Sequence, residues 1–273
     1  MKANTGRSGE LRPAEVAATR TWLSKRGIEV NEPTRLLSLR IGPRSNPVEG
    51  SSFRWIMGAA IVGALLNFAY GYLGELPGVR AEDMTDTSYL YFFATCTQLA
   101  FWLAILRRER ALGPLPVMDE RSGRPSALAV LGGWYLASFL ITFLGGAALA
   151  AAMYLTTPDK TYAWSWLGVL GWAALCCAVI LFQTLRRPVY AEDTASAAVD
   201  TALRTTDSQI AMTAVYAPAV LLDLLFSHRA PAEFTWWLVA YAVLAVATTV
   251  IGIRRQNRRI RTLPPGDYEA SDF

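Results

Sequence analysis

Six stretches of this chain carry apolar side chains on every face of the helix they would form. They run Phe53–Leu73, Ser88–Leu106, Leu128–Tyr154, Tyr162–Leu185, Gln209–Ser227 and Phe234–Ile253. No Asp, Glu, Lys or Arg occurs from Pro125 to Pro158, from Tyr162 to Leu185 or from Phe234 to Ile253. A helix on a soluble protein keeps a polar face, and these segments have none. About 20 apolar residues cross a ~30 Å hydrocarbon layer. The pattern therefore predicts an all-α, polytopic membrane bundle of six transmembrane helices arranged as three hairpins. The third run is long enough to tilt, and Gly145-Gly146 marks a place where it would break. The fifth is the weakest, because it contains Pro218 and Asp223; without it the count falls to five and the C-terminus changes sides.

Three of the runs close on Arg-Arg, at Arg107-Arg108, Arg186-Arg187 and Arg254-Arg255. Each is the second member of a hairpin. Ten Lys and Arg precede or begin the first run, through Arg54; five follow the second, three the fourth and five the sixth. Only Arg80, Lys160 and Arg229 fall on the opposite side. The positive-inside rule then places both termini and both long loops in the cytoplasm of a cell-membrane protein. This divides the chain into a cytoplasmic segment 1–52, a membrane domain 53–253 with cytoplasmic loops 107–127 and 186–208, and a tail 254–273 that is basic, then acidic. Trp55, Trp102, Trp164, Trp166, Trp236 and Trp237 lie near the expected helix ends, where amphipathic rings favour the headgroup layer. Trp134 and Trp172 lie deeper and read as interhelical packing.

Composition agrees: 53% hydrophobic, 18% charged, net charge +4. The excess of positive charge is explained by topology, so nucleic acid is not an expected partner. Cys96, Cys176 and Cys177 lie within apolar runs and read as small buried hydrophobes. The first apolar run begins near Phe53, so a cleavable signal peptide is not expected.

Two polar regions carry their own helical pattern. Pro13–Arg26 reads as a helix with Pro13 in its first turn and Gly27 at its C-terminal cap. Its apolar stripe is Val16, Ala17 and Leu23. Leu36, Leu37, Leu39 and Ile41 follow, interleaved with Arg35, Arg40 and Arg44; this segment reads as a strand or short helix lying on the anionic inner leaflet, as docked on the protein's own loops, or as disordered. In the loop after the fourth run Asp193 would cap a second helix. Ala195, Ala198, Val199, Ala202 and Leu203 recur on one face of it, a candidate docking face for a protein partner. Asp200, Arg204 and Asp207 lie on the other face, spaced for 200/204 and 204/207 pairs.

Arg186-Arg187-Pro188-Val189-Tyr190-Ala191-Glu192-Asp193, with Ala197-Ala198-Val199-Asp200-Thr201-Ala202-Leu203-Arg204, resembles a loop in uncharacterised multi-span proteins of high-GC Gram-positive bacteria. Some of these occur beside transporter components. The resemblance covers about 25 residues, implies an association with transport and supplies no active residues.

The chemistry is mostly negative. His228 is the only histidine, so bis-histidine haem ligation within the chain is excluded. His and Cys are too few and badly spaced for a metal site. No G-x-x-x-x-G-K-[ST] loop or G-x-S-x-G motif occurs. Catalytic residues, cofactors and metal are accordingly expected to be none. Asp223, Asn67 and Gln98 are the candidate polar site in the membrane: an acid in a span is functional by default, though Asp223 sits about one turn from the outer end. Asn67 and Gln98 are placed to hydrogen-bond between the first two spans. Pro218 would release the carbonyl of Ala214. Ala59/Gly63 and Gly146/Ala150 have the spacing for close helix approach, more often internal than dimeric. The expected partners are the lipid bilayer and a cytosolic or membrane protein; self-association is open. The leading expectation is a transport-associated or permease-like subunit with no ATPase of its own. The alternatives are a membrane scaffold or regulator acting through its cytoplasmic segments, and an intramembrane enzyme.

Overall fold

The computed structural model describes residues 11–45, 52–72, 85–111, 115–117, 125–211 and 230–270, with positions 79 and 224. All the regular structure among these is helical. In chain order the helices are α1 (Pro13–Ser24), α2 (Arg35–Ser45), α3 (Ser52–Tyr72), α4 (Thr85–Ala111), α5 (Ala127–Leu131), α6 (Gly133–Leu140), α7 (Gly146–Thr156), α8 (Thr161–Arg186), α9 (Thr194–Ile210) and α10 (Thr235–Arg259). A π turn, Ile141–Gly145, joins α6 to α7, and a 3₁₀ turn, Ala232–Phe234, leads into α10. The one extended contact among the described residues is an isolated bridge between Pro33 and Glu269.

Three continuous helices are long and apolar enough to cross a membrane: Gly133–Thr156, Thr161–Arg186 and Ala232–Arg259. These correspond to the third, fourth and sixth apolar runs. In α3 the described apolar stretch is the shorter Met57–Tyr70. Of the fifth run, Gln209 and Ile210 end α9 and Ala211 follows; the stretch with Pro218 and Asp223 lies outside the described residues, as do His228 and Arg80. The described residues thus establish a helical bundle with three helices of spanning length, fewer than the six the hydropathy pattern predicts.

The bundle is apolar outside as well as inside. Ile61, Leu65 and Phe68 of α3, Leu144 and Leu155 of the α6–α7 rod, Leu175 and Phe182 of α8, and Val243 and Leu244 of α10 are all exposed. Trp236 and Trp237, 81% and 67% exposed, stand at one end of α10. Such a belt of exposed large apolar side chains is what lipid solvation permits and water does not. The inner core joins Tyr135, Phe143, Met153, Trp166, Leu170, Ile180, Leu238 and Tyr241. Trp166 meets Tyr241 edge to face, centroids 6.0 Å apart.

Small residues set the close crossings. A Cβ on Gly252 would come 3.0 Å from the Tyr135 backbone, and one on Gly63 3.0 Å from that of Phe93, so α10 rests on α6 and α3 on α4. Ala59 and Ala150 are buried, and Gly146 faces Tyr241 and Leu170. Both small-residue pairs therefore serve packing within the chain.

The third run is interrupted, but one helix earlier than Gly145-Gly146. Gly132 takes φ 73°, ψ 153° between α5 and α6, a conformation essentially reserved for glycine. The break frees carbonyls that other elements take up. Gln256 donates to the Leu131 oxygen at 2.7 Å and Thr205 to that of Val130 at 3.4 Å. At Gly145-Gly146 there is no break: the π turn ends at Gly145 and α7 continues from Gly146.

Three aromatic positions differ from expectation. Trp166 is buried in the inner core against Tyr241 rather than at the headgroup layer. Trp102 is fully buried between α4 and α8, its Nε1 donating to Gln183 Oε1 at 3.2 Å. A headgroup role gives way there to an indole with an internal partner. Trp134 is 40% exposed, with the Arg255 guanidinium 5.3 Å over its ring, so it lies on the outside of α6 rather than between helices.

Candidate functional site

At one end of the bundle, four segments distant in sequence build a cap. Leu23 of α1, Leu37 and Ile41 of α2, Ala195, Val199 and Leu203 of α9, and Tyr268 of the tail form a second hydrophobic core. α1 begins with Pro13 and a reciprocal cap in which the Arg12 backbone N–H donates to Glu15 at 2.9 Å. It ends before Gly27, which takes φ +79°. Asp193 caps α9, accepting from the Ser196 N–H at 2.8 Å. Leu36, Leu37, Leu39 and Ile41 belong to a helix, and all are buried. Of the three readings open for them, the structure has docking on the chain itself, against α1, α9 and the tail.

The candidate partner face is used in the same way. Ala195, Val199, Ala202 and Leu203 are buried, the first two and Leu203 against α1, α2 and Tyr268; Ala198 is half-buried. The chain itself covers that face. The opposite face of α9 is no more exposed: Asp200, Arg204 and Asp207 are buried too.

Those three belong to a buried ion network on which the cap turns. Arg44 grips Asp207 with both ends of its guanidinium, Nε–Oδ1 2.7 Å and Nη2–Oδ2 2.9 Å. Arg187 Nη1 reaches the same Asp207 Oδ2 at 2.6 Å. Arg40 Nη1 donates to Glu109 Oε1 at 2.8 Å and its Nη2 to Asp200; Arg44 also donates to Glu109. Arg204 Nε donates to Asp200 Oδ2 at 2.7 Å, while its two Nη groups take the carbonyls of Thr184, Arg187 and Pro188 at 2.8–3.0 Å. Arg204 thus closes the C-terminal end of α8, where carbonyls lack helical partners. The 200/204 pair forms as the spacing predicts. Asp207 pairs instead with Arg44 of α2 and Arg187 of the α8–α9 link, while Arg204 is taken up by Asp200 and the carbonyls at the end of α8. Beside the network Glu15 receives a bidentate Arg108, both bonds 2.9 Å.

Electrostatics follow from burial. Desolvation opposes the charged form of Asp207, but Arg44 and Arg187 outweigh it and hold the carboxyl below its usual range. Glu15 is held low against burial by Arg108 and Arg12. Burial, with Arg187 nearby, pulls Arg40 down to about 10. Four arginines (40, 44, 187 and 204) face three acids (109, 200 and 207). The Nε of Arg40 and the Nε and Nη2 of Arg187 are buried without a hydrogen-bond partner.

The network also ties the cap to the bundle. Glu109 is the last buried residue of α4, Arg187 and Pro188 follow α8, and Gln209 donates to Gln256 at 3.1 Å and Asn257 at 2.9 Å near the end of α10. Arg26 Nε donates to the Ile260 carbonyl at 3.1 Å.

Of the candidate membrane polar residues, Asp223 lies outside the described residues. Asn67 is half-buried on α3. Gln98 on α4 donates to the Ile210 carbonyl at 2.7 Å and so joins α4 to the end of α9. No cluster of His, Cys, Asp or Glu able to hold a metal occurs among the described residues. Within the bundle the distinctive feature is the π turn. It leaves the Thr142 carbonyl to accept from the Tyr241 hydroxyl at 2.9 Å, while the Thr142 hydroxyl is buried without a partner.

The exposed apolar belt, three spanning-length helices and a polar cap confined to one end define a helical membrane protein. No protein family, curated protein or solved structure matches the chain.

Proposed function

We propose that this chain is a transport-associated, permease-like membrane subunit that takes its energy from another protein. The observation that carries the reading is the irregular third span, broken at Gly132 and wound as a π turn at Ile141–Gly145. π turns concentrate at functional sites, and irregular membrane backbone persists where it lines a polar path or is re-satisfied by neighbours. Thr142, with its buried free hydroxyl beside Tyr241, is the position in this helix where a polar solute would be met.

The topology proposed with it is six spans, with both termini in the cytoplasm of the cell membrane. α3 and α4, of 21 and 27 residues, leave the cap and return to it. The α6–α7 rod leaves it again and α8 returns. Gln209 lies against the C-terminal end of α10, so the chain after α9 starts at the cap end and must begin α10 at the far end. That journey is about 37 Å, the rise of the 25 residues of α10. A sixth crossing between Ala211 and Ala230 accounts for it, and the arginine-rich cap faces the cytoplasm by the positive-inside rule.

The test is purification of the tagged full chain in mild detergent, with identification of every stoichiometric companion. The reading expects a nucleotide-hydrolysing subunit, and it expects Thr142→Val to change solute flux without lowering folded yield. A chain that purifies alone, and whose deletion leaves flux unchanged, would favour the scaffold alternative. A scaffold would need a surface other than Ala195–Leu203, which the chain itself covers.

A further inference from the structure

Outside the ion network, between the cap-side ends of α4 and α8, lies a cavity of about 730 Å³. Its inner wall includes Arg187, its rim Arg110 and Arg186, and its membrane-side wall Leu106 and Phe182. Glu109 also faces it, but that carboxylate already accepts from Arg40 and Arg44. Arg187 is the unusual group. Its side chain is only 9% exposed, one Nη donates to Asp207 at 2.6 Å, and the other stands 3.7 Å from Asp200, too far to hydrogen-bond. Nε and that second Nη are buried and unpartnered. A guanidinium has five N–H donors in a fixed fork, and leaving the three on Nε and the second Nη buried and unmade is costly. The network behind it carries one more cation than anion.

We infer that the cavity is a binding site for a phosphoryl-bearing anion, whose oxygens would complete the Arg187 fork and balance the surplus charge. An arginine fork matches phosphate geometry bidentately. Arg186, with its guanidinium 4.4 Å over the Phe182 ring, is held at the rim by stacking. Arg110, exposed near the end of α4, adds a second cation. The apolar wall formed by Leu106 and Phe182 continues the lipid-facing surface of α4 and α8, and basic pockets at the cytoplasmic ends of spanning helices suit phospholipid headgroups. The same oxyanion also occurs in free phosphate and soluble phosphomonoesters. The site is independent of the transport reading.

The experiment is native mass spectrometry of the full chain purified in neutral detergent. Phosphatidylglycerol, phosphatidylcholine and inorganic phosphate are titrated separately, against wild type, Arg187→Gln and the rim variant Arg110→Gln/Arg186→Gln. The expected result is saturable phosphatidylglycerol or phosphate binding that weakens about tenfold in Arg187→Gln and about threefold or more in the rim variant, the scale of a lost charge-assisted bond. Displacement of the lipid by inorganic phosphate assigns the site to the free anion; binding of phosphatidylglycerol that phosphate fails to displace assigns it to a lipid headgroup. Should Arg187→Gln fail to fold, the rim variant decides. Equal retention of phosphatidylglycerol and phosphatidylcholine with no phosphate binding, or unchanged affinity in the variants that fold, overturns the inference.

Discussion

Asp207 holds two arginines from two different segments in a place water does not reach. Removing it would leave Arg187 a buried cation without its hydrogen-bonded anion and Arg44 with Glu109 alone, a change of about 3–5 kcal/mol. Asp207→Ala is expected to lower the unfolding midpoint of the purified chain sharply, while Glu192→Ala, exposed just before α9, leaves it unchanged. The same carboxyl sets a pH dependence. Its folded-state pKa lies below its ordinary 3.8, because Arg44 and Arg187 overcome burial. Glu15 behaves likewise from 4.5, with Arg108 as the opposing charge. A depressed carboxylate adds stability that is complete above its unfolded pKa and lost as pH falls through the folded one. Thermal stability is therefore expected to be flat above about pH 5 and to fall below pH 4, and Asp207→Asn should flatten that acid limb. The Asp200/Arg204 pair was legible in the sequence from its i, i+4 spacing, but the partners of Asp207 and Arg40 were not. Arg187 read as a topological marker, Arg40 and Arg44 as charges on a segment at the inner leaflet or docked on loops, and Asp207 as a partner of Arg204. The usable signal was Asp200, Arg204 and Asp207 at four- and seven-residue spacing opposite an Arg40/Arg44 pair at i, i+4. Nothing local revealed that α2 crosses α9, because the pairing joins positions about 160 apart in the chain.

Among the elements, α9 is the piece on which the cap is assembled. Its Ala195 and Leu203 face α1, α2 and the tail, and its acids face the arginines. Leu203→Asp would bury a charge in the cap core, and the expected result is rapid proteolysis of the first fifty residues while the bundle stays resistant. Proteolysis at the wild-type rate would contradict the packing. In the third run the element to disturb is the break. Gly132→Ala forces a side chain into a conformation costing about 1–3 kcal/mol, and the loss is expected as lower thermal stability in detergent. Gly133→Ala, whose Cβ would meet open space, is the matched control. Hydropathy located this helix well and its irregularities badly. Period and apolarity are summed along a segment, whereas the break is re-satisfied by Gln256 and Thr205 from elsewhere in the fold. The extent of α1 and the Asp193 cap were legible because capping chemistry is local.

For the molecule as a whole, the account makes one geometric demand. The N-terminal helices, the end of α4, the α8–α9 link and the tail meet in a single cap, so all of them must lie on one side of the bilayer. Charge counting reached the same side for each of them from the sequence alone, because Lys and Arg bias is summed loop by loop and needs no contacts. The number of crossings was less legible, since the fifth run holds Pro218 and Asp223. The direct test uses single cysteines in sealed right-side-out cells, with Cys96, Cys176 and Cys177 buried and so silent toward a membrane-impermeant maleimide. Lys25→Cys and Glu192→Cys probe the cap, and Pro158→Cys and Glu233→Cys the far end of the bundle. The account predicts that Pro158→Cys and Glu233→Cys label in intact cells, and that Lys25→Cys and Glu192→Cys label only after permeabilisation. Labelling of one cap position in intact cells while the other stays protected would contradict the shared cap, and with it the six-span topology.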